Sequence, residues 1–159
     1  MAADIFAKLG DIKGESQDAK HKDEIEVLSW SWGVSNTAGP GGGGGGGGAG
    51  KAAFQDLSLT HSVDRASPSL MQACATGQHF KDAMLMQRKS GKEQHEYLIV
   101  KMNDVIITGV APASGGDRPL ESVTLNYAKI HIEYKPQKAD GSFDASVHFK
   151  YDLKTNKTF

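Results

Sequence analysis

The chain is 159 residues long with a formal net charge of −1, and its 18 basic and 19 acidic residues are interspersed, so it lacks the basic field on which binding to nucleic acid or an anionic membrane relies. A chain of this length buries about 68–70% of its unfolded surface as one domain without metal or disulfide staples, and its single cysteine, Cys74, excludes an internal disulfide and fits a reducing compartment. Met1 to Lys8 has no apolar h-region and no run of about 18 apolar residues occurs, so neither a Sec signal nor a membrane-spanning helix is expected.

Asp4 to Leu9 reads as a first strand ended by Gly10, and Asp11 to Asp23 as a polar connector. Glu24 to Gly33 then holds both tryptophans two positions apart, with serines around them. In a strand that spacing separates two faces: Leu28, Trp30 and Trp32 are expected in the core, and Ser29, Ser31 and Gly33 on an opposite, small and polar face. Such a face suits a wall that something slides past.

The loop at 37–51 collapses into low complexity: Gly39, Pro40, eight glycines from Gly41 to Gly48, Ala49, Gly50 and Lys51. It reads either as a plain linker or as an arm ordered by a partner. From Gly45 to Lys51 it matches most of a phosphate-binding loop, but Ala52 replaces the metal-binding hydroxyl and a strand follows where a helix N-terminus is needed.

Leu57, Leu59, His61 and Val63 alternate with Ser58, Thr60 and Ser62 as a half-buried strand. Ser67-Pro68 is a helix start, with Ser67 as N-cap, and Gly77 a stop, placing one short helix at about Pro68 to Thr76. Strands follow at Phe80 to Lys89, Glu96 to Val110 and Leu120 to Lys135. The last changes phase, with Val123, Leu125 and Tyr127 apolar at odd positions and Ala128, Ile130, Ile132 and Tyr134 at even ones, as where a strand passes from one sheet to another. After the turn signal Asp140-Gly141, Ser142 to Leu153 alternates as a final strand. The expectation is a mainly β chain: one domain over 1–159, a two-sheet β-barrel with one flanking short α-helix.

The six histidines show no short spacing that places two on one face, so no metal site is expected. Cys74 lies mid-helix without a nearby histidine, and no serine sits in a nucleophile elbow, so no catalytic set and no cofactor are expected. On the residues alone, a monomeric or dimeric β-barrel binding module with a ligand on the Ser29/Ser31 face stays open as an alternative.

Asp11-Ile12-Lys13-Gly14-Glu15-Ser16, Trp30-Ser31-Trp32-Gly33, the glycine-rich loop, Asp56-Leu57-Ser58-Leu59, Leu70-Met71 with Cys74, Asn126-Tyr127-Ala128 and Tyr134 to Gly141 together resemble the haemolysin-coregulated protein family, Hcp. Ser142 to Phe159 departs from the family's pattern. The resemblance implies a homohexameric ring, with rings stacked into the inner tube of the bacterial type VI secretion system, driven outward by a contractile sheath behind a spike. It implies a protein that starts in the bacterial cytoplasm and is expelled to the extracellular space or a target cell without a Sec signal, with small effector proteins in its lumen. It places Ser29 and Ser31 on the lumen wall, and it makes Gly39, Pro40, Gly41, Gly45, Gly48, Gly50 and Lys51 part of a loop that contacts neighbouring subunits or the next ring.

Overall fold

The computed structural model describes residues 3–37, 51–91 and 95–159. In chain order the elements are β1 (Ala3–Leu9), β2 (Ile25–Val27), β3 (Ser29–Ser31), β4 (Val34–Asn36), β5 (Ala52–Phe54), β6 (Leu57–Ser62), α1 (Ser67–Thr76), β7 (His79–Lys89), β8 (Glu96–Ala113), β9 (Leu120–Tyr134), β10 (Val147–Asp152) and β11 (Lys157–Thr158). One antiparallel sheet runs β11-β10-β9-β8-β7-β1-β2, with β6 and then β3 branching from β9, while β4 and β5 pair as a separate ribbon.

The mainly β class stands, with one helix among the described residues, but over those residues the sheet is not closed into a barrel. β2 pairs with β1 and β3 pairs with β6, and the chain passes from one pairing to the other at Leu28, whose N–H donates to the Thr60 carbonyl at 2.8 Å. This crossing overturns one expectation. Ile25 and Val27 face the core at odd positions, whereas Trp30 and Trp32 pack against it at even ones, so the phase flips between them. Leu28 sits on the flip and is 58% exposed instead of buried in the core.

The phase change expected in the last long strand has the same origin. The first half of β9 pairs with β6 from Leu57↔Leu125 to Ser62↔Leu120, and the second half pairs with β10 from Asp152↔Lys129 to Val147↔Tyr134. Tyr127 is buried before the change of partner and Ile130 after it. On the other edge of β9, β8 carries a bulge between Ile107 and Gly109 that absorbs the bend.

The core draws Leu57 and Leu59 from β6, Leu85 from β7, Val100, Met102 and Val105 from β8 and Val123, Leu125 and Ile130 from β9, closed on one side by Leu70 and Ala73 of α1. The helix begins one residue before the expected start. Ser67 is not its N-cap: Ala66 takes that position without a side-chain bond, its N–H donating to Asp64 Oδ1 at 2.8 Å, while Ser67 Oγ accepts from the Asp64 N–H at 3.1 Å. Gly77 ends it at φ 67°, where the Gln78 N–H donates to the Ala73 carbonyl at 3.0 Å. The Asp140-Gly141 turn is present, bridging Gln137 to Phe143, but regular pairing of the tail starts only at Val147.

The connector between β1 and β2 is tied down more firmly than its polar sequence implies. Arg88 of β7 is 2% exposed; its Nη1 donates to Asp18 Oδ1 at 3.1 Å, its Nη2 donates to Asp18 Oδ2, and its Nε donates to Asp4 Oδ2 at 3.3 Å. The guanidinium also lies over the Phe6 ring, 4.9 Å from its centroid, and His21 stacks on that ring at 4.4 Å. The Arg88 hydrogen bond pulls the Asp18 carboxyl down from its ordinary 3.8 to about 2. A depressed carboxylate stabilises the fold above its unfolded value and loses that contribution as pH falls toward its folded value. The expected result is a wild-type melting temperature that drops more steeply between pH 4 and pH 2 than that of Asp18→Asn, whose curve lies lower at neutral pH; parallel curves in thermal melts would refute this role.

Candidate functional site: an uncharged hydroxyl face

The serine face predicted around the tryptophans extends well beyond its own strand. Ser29 lies opposite Thr60 and Ser31 opposite Ser58 on β6. Across the next ladder Thr60 meets Ser122 and Ser58 meets Thr124 on β9, and across the third Ser122 meets Ala111 and Thr124 meets Gly109 on β8. Directly paired residues of antiparallel strands share a face. The result is a continuous surface, four strands wide, made of hydroxyls, one methyl and one glycine, with no charged side chain in these positions.

Packing on the other side fixes this face. Leu57, Leu59, Val123 and Leu125 are buried at alternating positions of β6 and β9, so Ser58, Thr60, Ser122 and Thr124 are turned outward. Trp30 and Trp32 hold β3 in place as half-buried anchors instead of full core residues. The indole N–H of Trp30 donates to Gln87 Oε1 at 2.9 Å, and that of Trp32 donates to the Tyr127 hydroxyl, which donates on to the Gln55 carbonyl at 2.8 Å. Burial raises the Tyr127 phenol above its usual value. Trp32 also meets Phe54 and Phe149, with ring centroids 6.3 and 6.2 Å apart, tying the β4–β5 ribbon and the C-terminal tail to the back of the hydroxyl face.

One end of the face is marked by Asp56, which accepts from Thr108 Oγ1 at 2.7 Å and from Asn126 Nδ2 at 2.9 Å. Thr108 Oγ1 lies 2.9 Å from Thr124 Oγ1. The bulge lets Thr108 reach these partners and puts Gly109 where any Cβ would come within 2.8 Å of Thr124 Oγ1.

Ser29 and Ser31 are both exposed and sit side by side on this face, whereas Leu28 leaves the strand line altogether. Ser122, Thr124 and Gly109 were missed as partners. For Ser122 and Thr124 the signal was present in the alternation of Ser122 to Asn126, but only the pairing register shows that they and Gly109 extend the Ser29/Ser31 surface. Gly39, Pro40, Gly41, Gly45, Gly48 and Gly50 lie outside the described residues. Lys51 is exposed just before β5, so the glycine-rich loop joins the two paired strands of the β4–β5 ribbon, in which Asn36 faces Ala52.

The histidines are arranged differently from the expectation. His61 is fully buried against Glu121, and His21 bonds Glu24 and Glu96. Two histidines do meet: His131 Nε2 of β9 and His148 Nδ1 of β10 are 2.9 Å apart, with Glu133 Oε2 3.7 Å from His148 Nδ1. Partial burial, then Lys150, His148 and Lys101, push the His131 imidazole below its usual value. His131 and Glu133 stand at i and i+2, one face of a strand, a sequence signal that a search for paired histidines passes over.

Residues 6–134 match the family described as "Type VI secretion system effector, Hcp". The chain is 48% identical to Protein hcp1 of Pseudomonas aeruginosa, across 98% of each chain, so that likeness runs on through the C-terminal tail that the sequence motifs left apart. Among solved structures, Hcp1 of Salmonella typhimurium is 36% identical with a TM-score of 0.82 over the whole of both chains. A structure described as a type six secretion system protein is 32% identical with a TM-score of 0.91, covering 99% of this chain and all of that one. With the uncharged sheet face, the anchoring tryptophans and these whole-length likenesses together, the chain belongs to the Hcp family and is a tube protein of the type VI secretion system.

Proposed function

We propose that six copies of this chain close into a ring, that rings stack into the inner tube of the secretion system, and that the face carrying Ser29 and Ser31 lines the lumen and touches small effector proteins in transit. The observation that carries this reading is the uncharged hydroxyl surface continuous across β3, β6, β9 and β8. Cyclic symmetry would place the same patch of every subunit on the inner wall. Hydroxyls and small side chains offer exchangeable hydrogen bonds without the deep apolar anchors that make contacts tight, which suits cargo that must be held and then released. The chain then serves as a structural conduit and not as a catalyst. Its partners are itself, the sheath, the spike and the cargo, and it passes from the bacterial cytoplasm to the exterior or a target cell.

The loop at 37–51 would contact a neighbouring subunit or ring. Because Asn36 and Ala52 are paired, both ends of the loop are held together, and its stretch from Gly39 to Gly50 can reach outward by at most about half its ~40 Å contour, about 20 Å.

Native mass spectrometry with negative-stain images of the same sample tests the assembly: a sixfold mass with annular particles supports it, and a chain that stays monomeric at high concentration returns the reading to a β-rich binding module. Ser31→Gln is expected to leave rings intact while the longer amide narrows the lumen and lowers effector retention severalfold. Co-purification of effector at the wild-type level with mutant rings would sink the lumen assignment while leaving the ring untouched.

A further inference from the structure

We propose that His131, Glu133 and His148 form a surface site for one divalent transition-metal ion of the zinc type per chain. The site stands apart from the hydroxyl face, on the half of β9 that pairs with β10, and all three ligands come from one chain.

The ligand atoms are already gathered. One imidazole nitrogen each from His131 and His148 and a Glu133 carboxylate oxygen all lie within 4.8 Å of one another. Zinc binds imidazole nitrogen and carboxylate oxygen at about 2.0–2.2 Å, which sets tetrahedral donors about 3.3–3.6 Å apart. The Glu133 Oε2 to His148 Nδ1 distance of 3.7 Å is about 0.1 Å beyond that range, the 2.9 Å between the two nitrogens must open by about 0.4 Å, and the His131 to Glu133 separation, no more than 4.8 Å, must close into it. The adjustment falls to side chains on paired strands: His148 is opposite Glu133, and Lys150 is opposite His131. Sites built on regular elements hold their geometry better than sites on loops.

The surroundings select the class of ion. Lys101 and Lys150 occupy the positions paired with His131 on its two sides, and Lys135 Nζ lies 3.8 Å from Glu133 Oε1. These cations oppose Ca²⁺ and Mg²⁺, which rely on oxygen donors and on charge. They oppose Zn²⁺, Cu²⁺ or Ni²⁺ less, because imidazole supplies those bonds. With three protein ligands and a His148 side chain that is 40% exposed, a fourth position remains for water or an anion.

The test is calorimetric titration of the tag-free full-length chain with Zn²⁺ at pH 7, with Mg²⁺ as the control ion. One zinc per chain is expected, and no magnesium. His131→Asn and His148→Asn should each weaken zinc at least as much as the ~100-fold that loss of an outer-shell partner alone can cost, with circular dichroism unchanged. X-ray absorption of the zinc form should show two imidazole nitrogens and one carboxylate oxygen. If His131→Asn fails to fold, the more exposed His148→Asn decides alone. No zinc uptake by the wild type, or uptake of equal affinity in the variants, overturns the site.

Discussion

His61→Ala is expected to remove about 3–5 kcal/mol of folding stability, the cost of breaking a fully buried His–Glu pair by removing one partner. His61 on β6 and Glu121 on β9 are direct register partners at 0% and 1% exposure, and His61 Nε2 lies 2.8 Å from Glu121 Oε1. His61 Nδ1 and Glu121 Oε2 make no hydrogen bond among the described residues, so the pair leans on its single contact. Asp64 Oδ2 is 3.8 Å from His61 Nδ1, and its own burial raises the Asp64 carboxyl above its usual value. With the imidazole gone, the Glu121 carboxyl group stays buried beside Leu57, Leu59, Val123 and Leu125, with nothing to replace the bond. The double replacement His61→Leu with Glu121→Leu should recover most of the loss, because exchanging a whole buried polar pair for apolar groups of similar volume is often neutral. Denaturant midpoints at one fixed protein concentration measure both, since assembly would otherwise shift the baseline. A single variant within 1 kcal/mol of wild type would mean that water reaches the pair.

Much of this architecture is legible in residue order because alternation and turn chemistry are local. Leu57 to His61 and Val123 to Tyr127 announce a half-buried sheet, and Gly77 announces the helix stop. Assembly between strands is another matter. Leu28 follows the tryptophan alternation as a core residue, yet the chain changes pairing partner there, and a change of partner leaves no mark in a single strand. The same event in β9 was readable because the strand is long enough to show both phases. The hydroxyl face was half legible for the same reason: Ser29 and Ser31 declare their side, while Ser122, Thr124 and Gly109 join them only through register. His131 and His148 lie seventeen residues apart on neighbouring strands, a distance that spacing rules tuned to helices and turns cannot bridge. Ser67 illustrates a smaller shift, in which the expected cap residue enters the helix and Asp64 takes over the free N–H of Ala66.

Gly14→Ala is expected to destabilise the chain by at least the ~1–3 kcal/mol typical of overpacking, although the residue has neither a positive φ nor a side chain to lose. A Cβ at position 14 would stand 2.5 Å from the Glu24 carbonyl oxygen, 2.8 Å from its carbon and 2.9 Å from Ile25 Cα. All three are backbone atoms and none can swing aside, so one of the two segments must move. The segments are also bonded: the Gly14 N–H donates to the Asp23 carbonyl at 2.7 Å, Asp23 N–H to Ser16 at 2.8 Å, and Ser16 N–H to Glu24 at 3.0 Å. Displacing them pulls on Ile25, which is 3% exposed and pairs with Ala7, and on the Asp18–Arg88 contact four residues on. The Lys13-Gly14-Glu15-Ser16 motif therefore has a physical content beyond family likeness. Gly14 permits the approach, Glu15 Oε2 accepts the Arg65 N–H at 2.9 Å ahead of α1, and Ser16 Oγ accepts the Asp18 N–H at 3.3 Å. The clash predicts where the damage falls. Hydrogen exchange should show lost protection at Ser16, Asp23 and Ile25 with β8 and β9 little changed, alongside a lower melting temperature. A Gly14→Ala chain with wild-type melting and protection would show that the connector slides freely over β2, and the motif would then need a role outside the subunit.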